Sequence, residues 1–450
     1  MNKGQQTKAG ISQLPQELIH WLTEPVKRFL HVEAAAGAVL LLFTVLALGL
    51  SNSPWAHPFM GIWETQVGIH LGELEYGRSL HEWINDALMT LFFFVVALEL
   101  KRELVLGELR NPRIAALSIA AALGGMLVPA VFYLLLQYGE PGQSGWGTVM
   151  ATDTAFVIGC LALLGRRIPQ SLRIFMLSLA IVDDIGAVLV VAIGYGDVIR
   201  WDMLALAVVG FVIVRAMALL GVRSMTLFFL VGGLIWMAID ASGIHATVTG
   251  VILGLMTPTI KWVSDERLHA ILDRVVAYPP GDHWSGDTED RKALRVAEAA
   301  ARETLSPVER LEMKLHPWVG FVIMPLFAFA NAGVSISFAE FGSAVTVAVF
   351  VGFALGKPIG VLLFSWLALR IGIAVRPPDL DWMSLTAGGL LAGIGFTMAL
   401  FIANLAFSPS LINDAKLGIL SASVFSALAG VMLLSLWSSR SQRYKKTISG

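Results

Sequence analysis

The chain has 450 residues, 56% of them hydrophobic and 14% charged, with a formal net charge of −1 and a mean hydropathy of +0.72. Length alone would suggest roughly three soluble domains, but so apolar a composition describes an all-α polytopic membrane protein whose first partner is the lipid bilayer. The near-neutral balance leaves nothing that favours nucleic acid as a partner, and the single Cys160 excludes an internal disulfide framework.

Residues 1–33 are polar and carry Pro15 and Pro25, which reads as a cytoplasmic N-terminal segment without a cleavable signal. Runs long enough to cross a hydrocarbon core of about 30 Å follow at 34–50, 84–100, 114–137, 148–165, 172–196, 203–221, 225–240, 244–260, 315–337, 343–371, 384–405 and 413–437. They predict a membrane domain of twelve spans over 34–437, followed by a cytoplasmic tail at 438–450. With both termini cytoplasmic, only Arg78, Arg200 and Lys416 of the 32 Lys and Arg residues fall on the outer side, and only Lys357 inside a span. That asymmetry follows the positive-inside rule and orients the chain.

Between the first and second spans, residues 66–81 alternate in polarity and carry turn glycines, the pattern of a small outer β-hairpin. Its exposed edge can pair with a second copy of the chain. On the inner side, residues 262–312 form a long charged insert, with a loop around Pro279-Pro-Gly-Asp-His-Trp and a solvated helix from Arg291 to Leu305.

Chemistry falls to the ionisable residues inside the spans. Asp183 and Asp184 lie side by side in Leu179-Ala-Ile-Val-Asp183-Asp184-Ile-Gly186, Asp153 in Met150-Ala-Thr152-Asp153-Thr-Ala-Phe156, and Lys357 in Gly356-Lys357-Pro358. A charge at the bilayer centre costs about 3 kcal/mol even on mild scales, so such residues face protein or water and mark ion or proton paths. Neighbouring helical residues point about 100° apart, so Asp183 and Asp184 meet different partners.

The backbone points to the same region. The fourth span carries Gly147, Thr148 and then Ala151-Thr-Asp-Thr154, and the eleventh reads Gly388-Gly389-Leu-Leu-Ala-Gly393-Ile-Gly395-Phe-Thr397, both poor helix in lipid. Where broken helices meet, partial positive charge gathers at N-termini and partial negative charge at C-termini. Asp153 is expected to answer the former and Lys357 the latter. A cation channel would use the same carboxylates but needs a ring-like filter. A membrane aspartyl protease could pair Asp153 with Asp184, and an Asp-rich prenyltransferase would need a second such motif; neither enzyme accounts for Lys357.

Together with Gly243-Ile-His245-Ala-Thr247, His316-Pro-Trp318, Phe327-Ala-Phe-Ala-Asn331-Ala-Gly333, Gly356-Lys357-Pro358 and Gly395-Phe-Thr397-Met398, these motifs resemble the bacterial NhaA-type sodium/proton antiporters from about Trp83 to Ala406. The resemblance implies twelve transmembrane helices with inverted-topology repeats, in which the fourth and eleventh helices are discontinuous and cross; this family is itself a standing example of that pattern. It also implies a homodimer joined in part by the 66–81 hairpin.

By the same resemblance the chain is a secondary transporter and not an enzyme, without a cofactor. It extrudes Na+ or Li+ from the cytoplasm in exchange for external H+, electrogenically, with more than one H+ per Na+, under pH regulation, in the bacterial inner membrane. The resemblance puts the ion and proton site at Asp184, Asp183, Asp153 and Thr152, with Asp184 the direct Na+ ligand. Asp183 pairs with Lys357 in the sodium-free state, and Lys357 and Asp153 compensate charge. Glu312, His245, Glu99 and Asp86 match the family's pH-response positions. Two departures stand out: no proline lies near Val149, and Glu309 occupies a place where a basic residue is expected.

Overall fold

A computed structural model describes residues 33–71, 74–105, 107, 112–165, 168–196, 198–222, 224–261, 263–276, 289–336 and 340–448. The expected N-terminal cytoplasmic segment therefore lies outside the described residues but for its last position, as does the centre of the 262–312 insert.

The chain opens with helix α1, Glu33–Ser51, and a short helix α2, Ala56–Trp63, that the sequence reading does not anticipate. Two antiparallel strands follow, β1 at Gln66–Leu71 and β2 at Leu74–Ser79, in register from Gln66 opposite Ser79 to Leu71 opposite Leu74. The hairpin stops at Ser79 because that residue caps the next helix. Its hydroxyl accepts the Glu82 N–H while the Glu82 carboxylate accepts the Ser79 N–H, a reciprocal capping box. Leu80 and His81 thus begin α3, Leu80–Val105, instead of closing the hairpin.

The membrane body continues with α4 at Pro112–Leu136, a 3₁₀ helix at Pro141–Met150, α5 at Thr154–Leu164, α6 at Gln170–Gly194, α7 at Trp201–Leu219, α8 at Met225–Ala241 and α9 at Val248–Met256. After the amphipathic helices α10, Asp265–Val276, and α11, Glu289–Glu303, come α12 at Pro307–Asn331, α13 at Ala344–Ile371, α14 at Trp382–Ala392, α15 at Phe396–Ala406 and α16 at Ile412–Ile448. Among the described residues seven helices are long and apolar enough to cross a membrane, or nine if each of two bent pairs is one span. Leu206, Val208, Val209, Val212, Leu230 and Leu234 on α7 and α8 are exposed, as lipid-facing residues are in a multi-pass membrane protein.

Three boundaries differ from expectation. The fourth span starts at Pro141 and not at 148, its first half wound as a 3₁₀ helix. The ninth begins at Pro307, inside the expected insert, because Ser306 and Glu309 form a second capping box with Pro307 in the first turn. Glu309 has found that structural job in place of the expected basic residue. The tail expected at 438–450 continues α16 as helix to Ile448.

Two wide π turns, Val319–Ile323 and Gly352–Gly356, each end one residue before a Met-Pro or Lys-Pro step, at Pro325 and Pro358. Proline lacks an N–H and its ring crowds the carbonyl four residues back, so a widened turn relieves both problems. The second turn delivers Lys357 into the interior. There α13 lies backbone to backbone on α4, since a Cβ on Gly124 would fall 2.1 Å from the Gly360 carbonyl oxygen and one on Gly360 2.0 Å from that of Gly124.

Candidate functional site

The two bent pairs meet in the core. The 3₁₀ helix and α5 are bent by 44° across residues 151–153, and α14 and α15 by 45° across residues 393–395. At the crossing the Asp153 N–H donates to the Ile394 carbonyl at 2.7 Å. Breaking a helix in an apolar interior strands backbone groups, and Asp153 answers two sets of them. Its Oδ1 accepts the Phe156 N–H at 3.1 Å as the N-cap of α5. Its Oδ2 accepts the Thr397 N–H at 2.9 Å and the Thr397 hydroxyl, at the start of α15. One carboxylate therefore sits at two positive helix ends.

Backbone around the break is extended, with φ −78° and ψ 148° at Ala151 and φ −87° and ψ 97° at Asp153. Side chains alternate along such a segment, so Asp153 turns to α15 while Thr152 and Thr154 turn to α6. The Thr152 hydroxyl stands 2.5 Å from Asp183 Oδ2 and 3.0 Å from the Ala392 carbonyl. The Thr154 hydroxyl stands 3.2 Å from Asp184 Oδ2.

Lys357 Nζ lies 2.6 Å from Asp183 Oδ2 and 2.6 Å from Thr152 Oγ1, and both charged groups are fully buried. The Ala392 carbonyl at the end of α14 accepts from the Thr152 hydroxyl, to which Lys357 Nζ also donates, so the ammonium stands next to that carbonyl end while its charged partner is Asp183. Asp184 is 3% exposed and has no cation beside it in any ion pair among the described residues. Asp183 Oδ1 and Asp184 Oδ1 are both buried without a hydrogen-bond partner. Four of the expected site residues, Thr152, Asp153, Asp183 and Asp184, thus converge with Lys357 on one crossing.

The other four lie away from it, at opposite ends of α3. Asp86 near one end pairs with Arg78 from β2, whose other nitrogen reaches Asp240 Oδ2 of α8, and His245 Nε2 lies 3.7 Å from Asp86 Oδ1. Glu99, about 20 Å further along the helix, has His316 Nε2 at 3.5 Å. Arg102 beside it pairs with Glu312 of α12 and, at 2.9 Å, with Glu103.

Several contributing residues have no role in the sequence reading. Thr154 and Thr397 are legible only once the break is known to be extended, when a Thr-Asp-Thr run must alternate. Asp240 lies at a span end and Arg78 in the outer hairpin, with nothing in the sequence to join them. Asn331 of α12 fills all four of its hydrogen-bonding positions, accepting from His81 at 2.9 Å and Asn404 at 2.6 Å and donating to Asn85 at 2.8 Å and the Phe327 carbonyl at 3.0 Å. Next to it, fully buried Phe401 of α15 packs on Phe93, His245 and Phe327, with ring centroids 5.8, 5.3 and 6.3 Å away.

A family profile described as Na+/H+ antiporter 1 matches residues 27–434. The chain is 61% identical over 437 residues to a protein of Vibrio vulnificus named Na(+)/H(+) antiporter NhaA 2, covering 97% of this chain and 98% of that one. It is 60% identical over 433 residues to the Na(+)/H(+) antiporter NhaA of Rhizobium meliloti, covering 96% and 99%. A solved structure of the sodium proton antiporter MjNhaP1 from Methanocaldococcus jannaschii aligns over 94% of this chain and 93% of its own at a TM-score of 0.48 and 12% identity, too distant to bear on this fold. With a profile over nearly its whole length and relatives of this identity, the chain belongs to the NhaA-type Na+/H+ antiporter family.

Proposed function

We propose that this protein extrudes Na+, and Li+ in its place, from the cytoplasm in exchange for external H+, with the exchange seated at Asp184 and Asp183. The observation that carries the reading is the buried pair of adjacent carboxylates of which one, Asp183, has the Lys357 ammonium at 2.6 Å while the other, Asp184, has among the described residues only a hydroxyl partner.

A bare carboxylate in an apolar interior is costly. Either a proton or a hard cation removes that cost at Asp184, and the two compete for it. Hard alkali cations take oxygen ligands, and the crossing offers carboxylate, hydroxyl and carbonyl oxygens. A cation at Asp184 also draws on neighbouring Asp183, which loosens its hold on Lys357. Lys357, once released from Asp183, then gives up its proton as a second group. Two groups that lose protons for each Na+ taken up make the exchange electrogenic, with more than one H+ per Na+. Asp153 keeps the crossed half-helices charge-balanced throughout.

In this reading the chain is a transporter without a cofactor, with twelve spans in inverted repeats, residing in the bacterial inner membrane with both termini cytoplasmic. It works as a homodimer in which the β1–β2 hairpin pairs with its copy. The pH response resides in the Asp86 and His245 group at one end of α3 and the Glu99 and Glu312 group at the other. The experiment is proton flux in proteoliposomes, followed with a pH-sensitive dye, on addition of Na+, Li+ or K+ across a pH series. Na+ and Li+ are expected to drive proton movement and K+ not; silence with all three overturns the proposal.

A further inference from the structure

Thr154 places its hydroxyl 3.2 Å from Asp184 Oδ2. It is the first residue of α5, directly after the capping Asp153. Because the break is extended, Thr152 and Thr154 share a face, and each meets a different member of the carboxylate pair, Thr152 with Asp183 and Thr154 with Asp184. The two pairings are not equivalent. Asp183 already has the Lys357 ammonium, whereas Thr154 is the only hydrogen-bond donor to Asp184 among the described residues, and the second oxygen of Asp184 is buried and unpartnered.

We propose that Thr154 is a ligand of the transported cation, lending its hydroxyl oxygen to an ion held by Asp184, and that it thereby sets the preference of the site between Na+ and Li+. The inference rests on the reading that the cation binds at Asp184. A hydroxyl is donor and acceptor at once. In the cation-free site it donates to Asp184 Oδ2; when a cation arrives, a rotation about its C–O bond turns the proton away and presents a lone pair. The side chain is held for this because the Asp153 carboxylate fixes the first turn of α5 through the Phe156 N–H at 3.1 Å. Sodium, the larger ion, gathers more oxygens than lithium, so it depends more on an additional neutral ligand.

The test is the apparent KM for Na+ and for Li+ of the full-length protein in proteoliposomes, for Thr154→Val, Thr154→Ser and Thr154→Cys. Thr154→Val is expected to raise the Na+ KM about tenfold, the size of one lost partner to a charged group, and the Li+ KM less. Thr154→Ser restores the wild-type ratio of the two constants. Thr154→Cys, close in shape but with a soft sulfur, follows valine, and it carries the test if the valine variant does not fold. Unchanged KM values and an unchanged Na+ to Li+ ratio in a folded Thr154→Val or Thr154→Cys protein overturn the inference. Asp184→Asn separates the two levels: if it abolishes exchange while the Thr154 variants are silent, the cation site stands and only the role of Thr154 falls.

Discussion

Asp153 on one broken helix holds the start of the other, its Oδ2 accepting the Thr397 N–H at 2.9 Å while its Oδ1 caps α5 through the Phe156 N–H at 3.1 Å. A single carboxylate thus ties two half-helices that are far apart in sequence. Losing an N-cap costs about 1 kcal/mol and up to about 2, and here two caps go together. Asp153→Ala is expected to lower stability by about 2–4 kcal/mol and to abolish exchange, with Asp153→Asn, which keeps an acceptor oxygen, intermediate in stability. Thermal melting in detergent reads the difference, and a melting temperature unchanged in the alanine variant contradicts the double cap.

Lys357 and Asp183 form a fully buried ion pair, in which loss of one partner strands the charge of the other. Lys357→Leu is expected to cost about 3–5 kcal/mol. Lys357→Leu combined with Asp183→Leu removes both charges and is expected to recover most of that loss, without recovering transport. A double-mutant cycle on melting measures the coupling; additive losses contradict a direct pair.

Arg78 joins β2 to α3 and α8 by pairing with Asp86 and Asp240, and its guanidinium lies 5.8 Å over the Trp236 ring. Arg78→Ala leaves two half-buried carboxylates close together without their cation. Amide hydrogen exchange is expected to quicken across Gln66–Leu71 and Leu74–Ser79 and at the first turns of α3, while the Lys357 region keeps its protection. Unaltered exchange in the hairpin would show that the clamp does not hold it.

The crossing was legible in the sequence to the extent that charge in an apolar run is conspicuous. Asp183, Asp184, Asp153 and Lys357 each stand out because a bilayer gives them no excuse, and glycines at Gly393 and Gly395 mark the second break. What the residues alone left open was direction, and only the family resemblance named Asp183 as the partner of Lys357. Helical geometry says that Asp183 and Asp184 diverge, but only packing of α13 on α4 through Gly124 and Gly360 decides which of them Lys357 reaches. The assignment of Ala392 to Thr152 depends on a break of three residues whose extended form no propensity announces. Glu309 reads as an odd charge until Ser306 is seen to need it.

Asp381 gives a pH dependence outside the membrane spans. Burial pushes its carboxyl up, but the Ser384 hydroxyl and N–H and the Trp437 indole N–H, the last at 2.6 Å, outweigh that and hold it below its ordinary 3.8. A depressed folded-state value means stabilisation that is complete above pH 3.8 and lost as the pH falls through the lower folded value. Asp381→Ala is therefore expected to lower the melting temperature at neutral pH by the worth of a cap, about 1 kcal/mol. The gap to wild type closes in acid below 3.8; a gap that persists undiminished there contradicts the assignment.

In the proposed exchange Asp184 carries the ion. The most direct test is Na+-dependent proton flux in proteoliposomes of wild type and Asp184→Asn, at matched protein content and over a pH series. A response is expected in the wild type and none in the variant at any pH. Robust Na+-driven proton flux in Asp184→Asn would contradict it.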